Sequence, residues 1–173
     1  LFRYCPATLI VDQQFSPRDD NSSLAYKYER LGLAIKDMEA GISKRDRHYL
    51  MSESFEKAGL HFYNASRESG DTFGAIDLLI SSGICYEWSA VQCLDPRQAR
   101  EKLKLAQGLF KEGFKSLPQA YSEYRRNVTE GKYTQVELAE IKNKLNAYTA
   151  RIVSWSKDFD PPFYDQLIWK YRS

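Results

Sequence analysis

Histidine is scarce in this chain, which has only His48 and His61, thirteen residues apart. Two imidazoles on one helix share a metal ion at a spacing of three or four residues, so each of these reads as a solvent-facing or satisfied structural group. The three cysteines are an odd number, and on one helix Cys85 and Cys93 would stand about 12 Å apart, too far to bridge. With no disulfide framework, a reducing, cytoplasmic setting is expected. There is no glycine-rich loop ending in Lys-Ser/Thr and no G-x-S-x-G elbow. No cofactor, metal or catalytic residue is therefore assigned, although a composite site of Cys85 or Cys93 with a distant histidine stays formally open. Small buried apolar roles suit both cysteines better.

A long apolar run is also missing. The nearest candidate, residues 72–94, is interrupted by Asp77, Ser81, Ser82, Glu87, Ser89 and Gln92, so it reads as a buried helix and no membrane partner is expected. Charge of one sign is lacking too: the net value is +2, and the most basic stretch, 95–133, reaches only +4. That is weak for neutralising a phosphate backbone, so nucleic acid is not expected as a partner. One feature points away from the cytoplasm: Asn21, Asn64 and Asn127 each begin an N-glycosylation pattern, which leaves secretion open.

What the chain does have is helical periodicity. The 173 residues are 43% hydrophobic and 14% aromatic, enough to build one buried core. Residues 1–22 read as an extended leader or the end of an upstream domain, and the start at Leu1 without a charged-then-apolar leader suits a module of a longer or processed protein. From there, Leu24, Tyr28, Leu31, Ile35 and Met38 alternate by four and three, predicting a helix over 23–41. Met51, Phe55, Ala58, Phe62 and Ala65 predict another over 46–68. Residues 72–94 are apolar on more than one face, which marks the central helix. Its two acids, Asp77 and Glu87, read as one wet edge.

Asp95-Pro96 with Gln98 predicts a capped start for a helix over 95–117 that ends before Pro118, with a short helix at 119–130. Thr134-x-x-Glu137 caps a last helix over 135–157, and Asp160-Pro161-Pro162 ends it. Short connections make the neighbours antiparallel. The expected fold is therefore all-α: antiparallel helical hairpins over 23–158, as a six-helix bundle or a short stack, with an aromatic-rich tail at 159–173 packed on them. Because four-three stripes also serve coiled coils, a homodimer is within this reading.

Two windows narrow the choice. Tyr28-x-x-Leu31-Gly32-x-x-Ile35 and Phe55-x-x-Ala58-Gly59-x-x-Phe62 put a large residue, a smaller one, glycine and another large residue at the same offsets. A helical glycine costs roughly 1 kcal/mol against alanine, so its place beside the stripe implies close approach of another helix. The windows resemble the first helix of a tetratricopeptide repeat, W-x-x-L-G-x-x-Y. That resemblance implies a right-handed stack of helix pairs whose concave side receives a peptide. The windows depart from the family in standing 27 residues apart and in successive helices.

The expected function is a non-enzymatic protein-interaction or scaffold module that takes a peptide or helix in an inter-helix groove. The alternative is a helical small-ligand or regulatory domain with an aromatic-lined pocket. Candidate interaction residues are Arg125 and Arg126, able with Lys111, Lys115 and Lys132 to clamp an acidic peptide, and Phe163, Tyr164, Trp169 and Tyr171 of the tail.

Overall fold

The computed structural model describes residues 19–38, 41–159 and 161–163. They form five helices and no strand: α1 (Asn21–Asp37), α2 (Lys44–Glu68), α3 (Thr72–Gln92), α4 (Pro96–Glu130) and α5 (Gln135–Phe159). The chain up to residue 18, where the extended leader was expected, lies outside the described residues.

Local capping explains the starts. Asp20 accepts from Ser23 N–H, Ser43 from Asp46 N–H, and Asp71 from Phe73 and Gly74 N–H. Thr134 and Glu137 form the reciprocal box, Glu137 N–H donating to Thr134 Oγ1 and Thr134 N–H to Glu137 Oε2. Asp95 caps α4 through Arg97 N–H, but the Gln98 side chain turns to the Cys93 thiol, so the expected box is only half made.

The expected helices over 95–117 and 119–130 are one helix of 35 residues that runs through Pro118. Proline removes one ladder hydrogen bond at a cost of about 3 kcal/mol inside a helix. Here the Pro118 ring is exposed and meets no core side chain, while Leu117 and Ala120 on either side are buried in the same core. Packing on both flanks outweighs the missing bond.

Successive helices are antiparallel, as the cross-contacts show. Tyr28 stacks on His61 and Asn21 donates to Glu68 across α1 and α2. Ser52 meets Ser89 across α2 and α3, and Thr72 meets Gln119 across α3 and α4. The alternation puts α2 and α4 parallel on one side, tied by Lys102–Glu56 and Arg67–Glu112. On the other side α1 and α5 share an edge of α3, so close to Asp77 that its charge raises both the Tyr26 and Tyr148 phenols. Helix α3 is thus flanked by neighbours along most of its length. This is a stack of helical hairpins, compatible with a helical repeat.

Glycines set the spacing, as the two windows implied. A methyl on Gly32 would lie 2.7 Å from the Phe55 ring, on Gly59 2.9 Å from Tyr86, and on Gly83 3.0 Å from Phe110. Each helix therefore receives an aromatic ring from the next one in the place where a Cβ would be.

A polar cluster lies where α2, α3 and α4 meet. The Lys102 side chain is only 8% exposed, and its ammonium donates to Glu56 Oε2 at 2.5 Å, Ser89 Oγ at 3.0 Å and Ser52 Oγ at 3.2 Å. Both hydroxyls spend their own protons on carbonyls, Ser52 on Ser89 O at 2.9 Å and Ser89 on Ser52 O at 2.6 Å. All three ammonium protons thus have acceptors.

Three variants test these features. Pro118→Ala should stabilise the chain by about 1–3 kcal/mol in urea titration, with helicity unchanged. The double variant Ser52→Ala/Ser89→Ala, which leaves the ammonium one acceptor, should lose on the order of 3 kcal/mol. Lys102→Met should stay within about 1 kcal/mol of the parent, because Glu56 is exposed enough to rehydrate.

Candidate interaction surfaces

The edge of α3 that faces α1 and α5 gathers three ionisable groups with raised pKa values, Tyr26, Glu87 and Tyr148. Tyr148 Oη of α5 donates to Asp77 Oδ1 at 2.6 Å, and Arg151, one turn on, pairs with Glu87. The two acids therefore do not mark a wet edge: both are half-buried and each is held by α5. Burial first, with the Asp158 charge adding to it, leaves the Glu87 carboxyl raised despite the downward pull of the Arg151 guanidinium. Burial, then the bond to Asp77, pushes the Tyr148 phenol up. Tyr26 is raised by burial and by Asp77 and Glu29.

Cys85 lies at the centre of the stack with Ala25, Ala58 and Phe62. Burial, and secondarily the Glu29 charge, pushes its thiol well above the ordinary range, so it stays protonated and is a poor nucleophile. Cys93, at the end of α3, reaches Asp95 O and Gln98. His48 bonds to Gln92, and His61 bonds to Asn21 while stacking on Tyr28. Burial, then Lys57, lowers the His61 pKa, which keeps the ring neutral. Among the described residues, no three His, Cys, Asp or Glu side chains are grouped to hold a metal ion.

Two clefts flank the turn between α2 and α3. One, of about 170 Å³, is lined by Phe73, Gly74, Asp77, Ile141, Lys144 and Tyr148, together with Asp71. The other, of about 250 Å³, lies between that turn and Ser116 and Gln119 of α4. Both open to solvent, and both are smaller than the roughly 300–1,000 Å³ of ligand pockets.

Apolar side chains emerge at the far end of α3. Trp88 is 36% exposed, Val91 70% and Leu94 56%, with the Trp88 ring seated edge-on against Phe55. The periodicity of 72–94 places all three in a buried helix; in the structure Trp88 and Val91 lie on the exposed face of the last turn of α3, and Leu94 lies beyond its end at Gln92.

Arg125 and Arg126 are exposed near the end of α4, where Arg125 donates back to Tyr121 O. Phe163 packs against Phe114, with the Lys111 ammonium 5.2 Å from its ring. Lys111 and Phe114, which hold Phe163, precede Arg125 by at least eleven residues on one helix, so Phe163 is anchored about three turns before the arginine pair. Tyr164, Trp169 and Tyr171 lie outside the described residues. All three glycosylation patterns sit in helices: Asn21 opens α1, Asn64 is half-buried in α2, and Asn127 is buried in α4. A surface loop is the usual acceptor site. No described helix is long and apolar enough to cross a membrane. No family model, curated protein or solved structure matches the chain.

The raised phenols carry a pH signature. In the unfolded chain Tyr148 ionises near its ordinary 10.0, whereas the folded chain holds the proton longer, so unfolding releases protons and stability falls as pH rises above 10.0. Tyr148→Phe should cost about 1–2 kcal/mol at pH 8. Between pH 8 and about pH 11 it should lose less stability than the parent, as read from urea midpoints at each pH.

Proposed function

We propose that this chain is a non-enzymatic protein-interaction or scaffold module that receives a peptide or helix along the exposed end of α3. The observation that carries the reading is the exposure of Trp88 and Val91 at the end of α3, a helix otherwise largely in the core, with Leu94 exposed just beyond its cap. Grouped exposed apolar side chains mark contact surfaces, and tryptophan is a frequent anchor residue. The hairpin stack and the two glycine windows support a helical-repeat scaffold of the tetratricopeptide kind, which presents side chains of successive helices to a partner. Cys85 and Cys93, both free thiols, suit a reducing cytoplasmic setting. A small-ligand role, the alternative reading, would centre on the Asp77–Tyr148 cleft, and the small volume of that cleft weighs against it.

Selection of helical peptides from a displayed library against the folded chain tests the proposal. Selected peptides should bind Trp88→Ala/Val91→Asp at least about tenfold more weakly, a difference of about 1.4 kcal/mol, while the variant still melts cooperatively by circular dichroism. Peptides that bind the parent and the variant equally would place the contact elsewhere.

A further inference from the structure

Continuity through Pro118 puts the charges of α4 in register over its whole length. At about 100° per residue, Arg97, Arg100, Lys104, Lys115, Arg125 and Arg126 fall within one roughly 100° sector of the helix, and Lys111 joins them. All but Lys111 are exposed. The sector contains no acid. The helix's four acids, Glu101, Glu112, Glu123 and Glu130, share an adjoining strip turned toward α2 and the α2–α3 turn. Two of them are engaged there: Glu112 pairs with Arg67, and Glu123 accepts from Thr72 and Gln119. The six exposed cations, by contrast, have no carboxylate within ion-pair distance among the described residues. The result is a one-sided basic ridge about 44 Å long on a molecule of nearly neutral net charge.

We infer that this ridge docks an acidic polypeptide segment of a partner protein, aligned along α4. Three features of the sector select that occupant. None of the sector's own residues is aromatic, and the ring that reaches it, Phe163 beside Lys111, is already packed edge-on against Phe114, so it offers no row of rings on which bases could stack, as a single-stranded nucleic acid needs. It carries no large apolar side chain to enter a bilayer. The acid strip beside it would also repel a broad anionic surface, whereas a single acidic chain lying on the ridge meets only the cations. Gly108 completes the surface. A Cβ there would meet nothing within 4 Å among the described residues, so unlike Gly32, Gly59 and Gly83 it receives no ring from the described helices of the stack. At mid-ridge it leaves the helix backbone open to a chain lying along it. This surface is distinct from the exposed end of α3, and the two stand or fall separately.

Fluorescence anisotropy of the full chain with a labelled polyglutamate peptide tests the inference. Binding is expected at low salt and should weaken as ionic strength rises. Reversing Lys104, Lys115, Arg125 and Arg126 to Glu should weaken binding at least tenfold. Reversing the same number of lysines elsewhere, Lys57, Lys142, Lys144 and Lys157, should change it less than threefold, and Trp88→Ala/Val91→Asp should leave it unaltered. Should the reversed ridge fail to melt cooperatively, Lys115→Gln/Arg126→Gln replaces it, with a threefold or greater loss expected. Equal loss from both sets of reversals, no binding by the parent, or tighter binding to oligothymidylate or to phosphatidylserine vesicles would overturn the inference.

Discussion

An ammonium group without water is the constraint that the middle of this fold answers. Lys102 enters the junction of α2, α3 and α4, and a charge there is tolerable only with an acceptor for each proton. Ser52 and Ser89 can serve as acceptors because each gives its own proton to the carbonyl of the facing helix. That exchange needs the backbones of α2 and α3 close together, which in turn requires small residues along the seam. Ser82, whose hydroxyl donates to Gly59 O at 2.6 Å, extends the same close seam by two turns. One charge thereby sets the separation of two helices and the depth to which a third inserts.

Away from that junction the spacing is set by shape. Phe55, Tyr86 and Phe110 each fill the hollow above a glycine of the preceding helix. Such contacts hold rotation and register together, since a ring displaced by one residue meets a side chain instead of a hollow. Polar and steric devices alternate along the stack, and both favour α3 as the helix against which its neighbours are measured.

Much of the fold is legible in the sequence because periodicity and capping are local. The stripes from Tyr28 to Trp155, the Thr134–Glu137 box and the glycine windows each report on residues within a few turns. The break at Pro118 was misread for the same reason: local rules price a proline without the burial of Leu117 and Ala120 on its flanks. The surface was less legible. Asp77 and Glu87 look like a solvated edge until α5 is placed beside them, because Tyr148 and Arg151 are more than sixty residues away in the chain. The basic residues of 95–133 look diluted by their acids in a running count. Only an uninterrupted helix sorts the two signs onto separate strips, so a helix expected to end before Pro118 gives no sign of the ridge.

That proline divides α4 in another sense. The segment before it is clamped by the Lys102 cluster, by Phe110 under Gly83 and by Ile80 against Gly113. The segment after it is held by Ala120, by Thr72 on Gln119 and by Tyr121 on Asn146. With one rung of the amide ladder missing between them, opening that starts at Gly131 meets a natural stop. The helix is continuous as an object and segmented as a cooperative unit, so its last three turns can breathe while the junction beneath Lys102 stays shut.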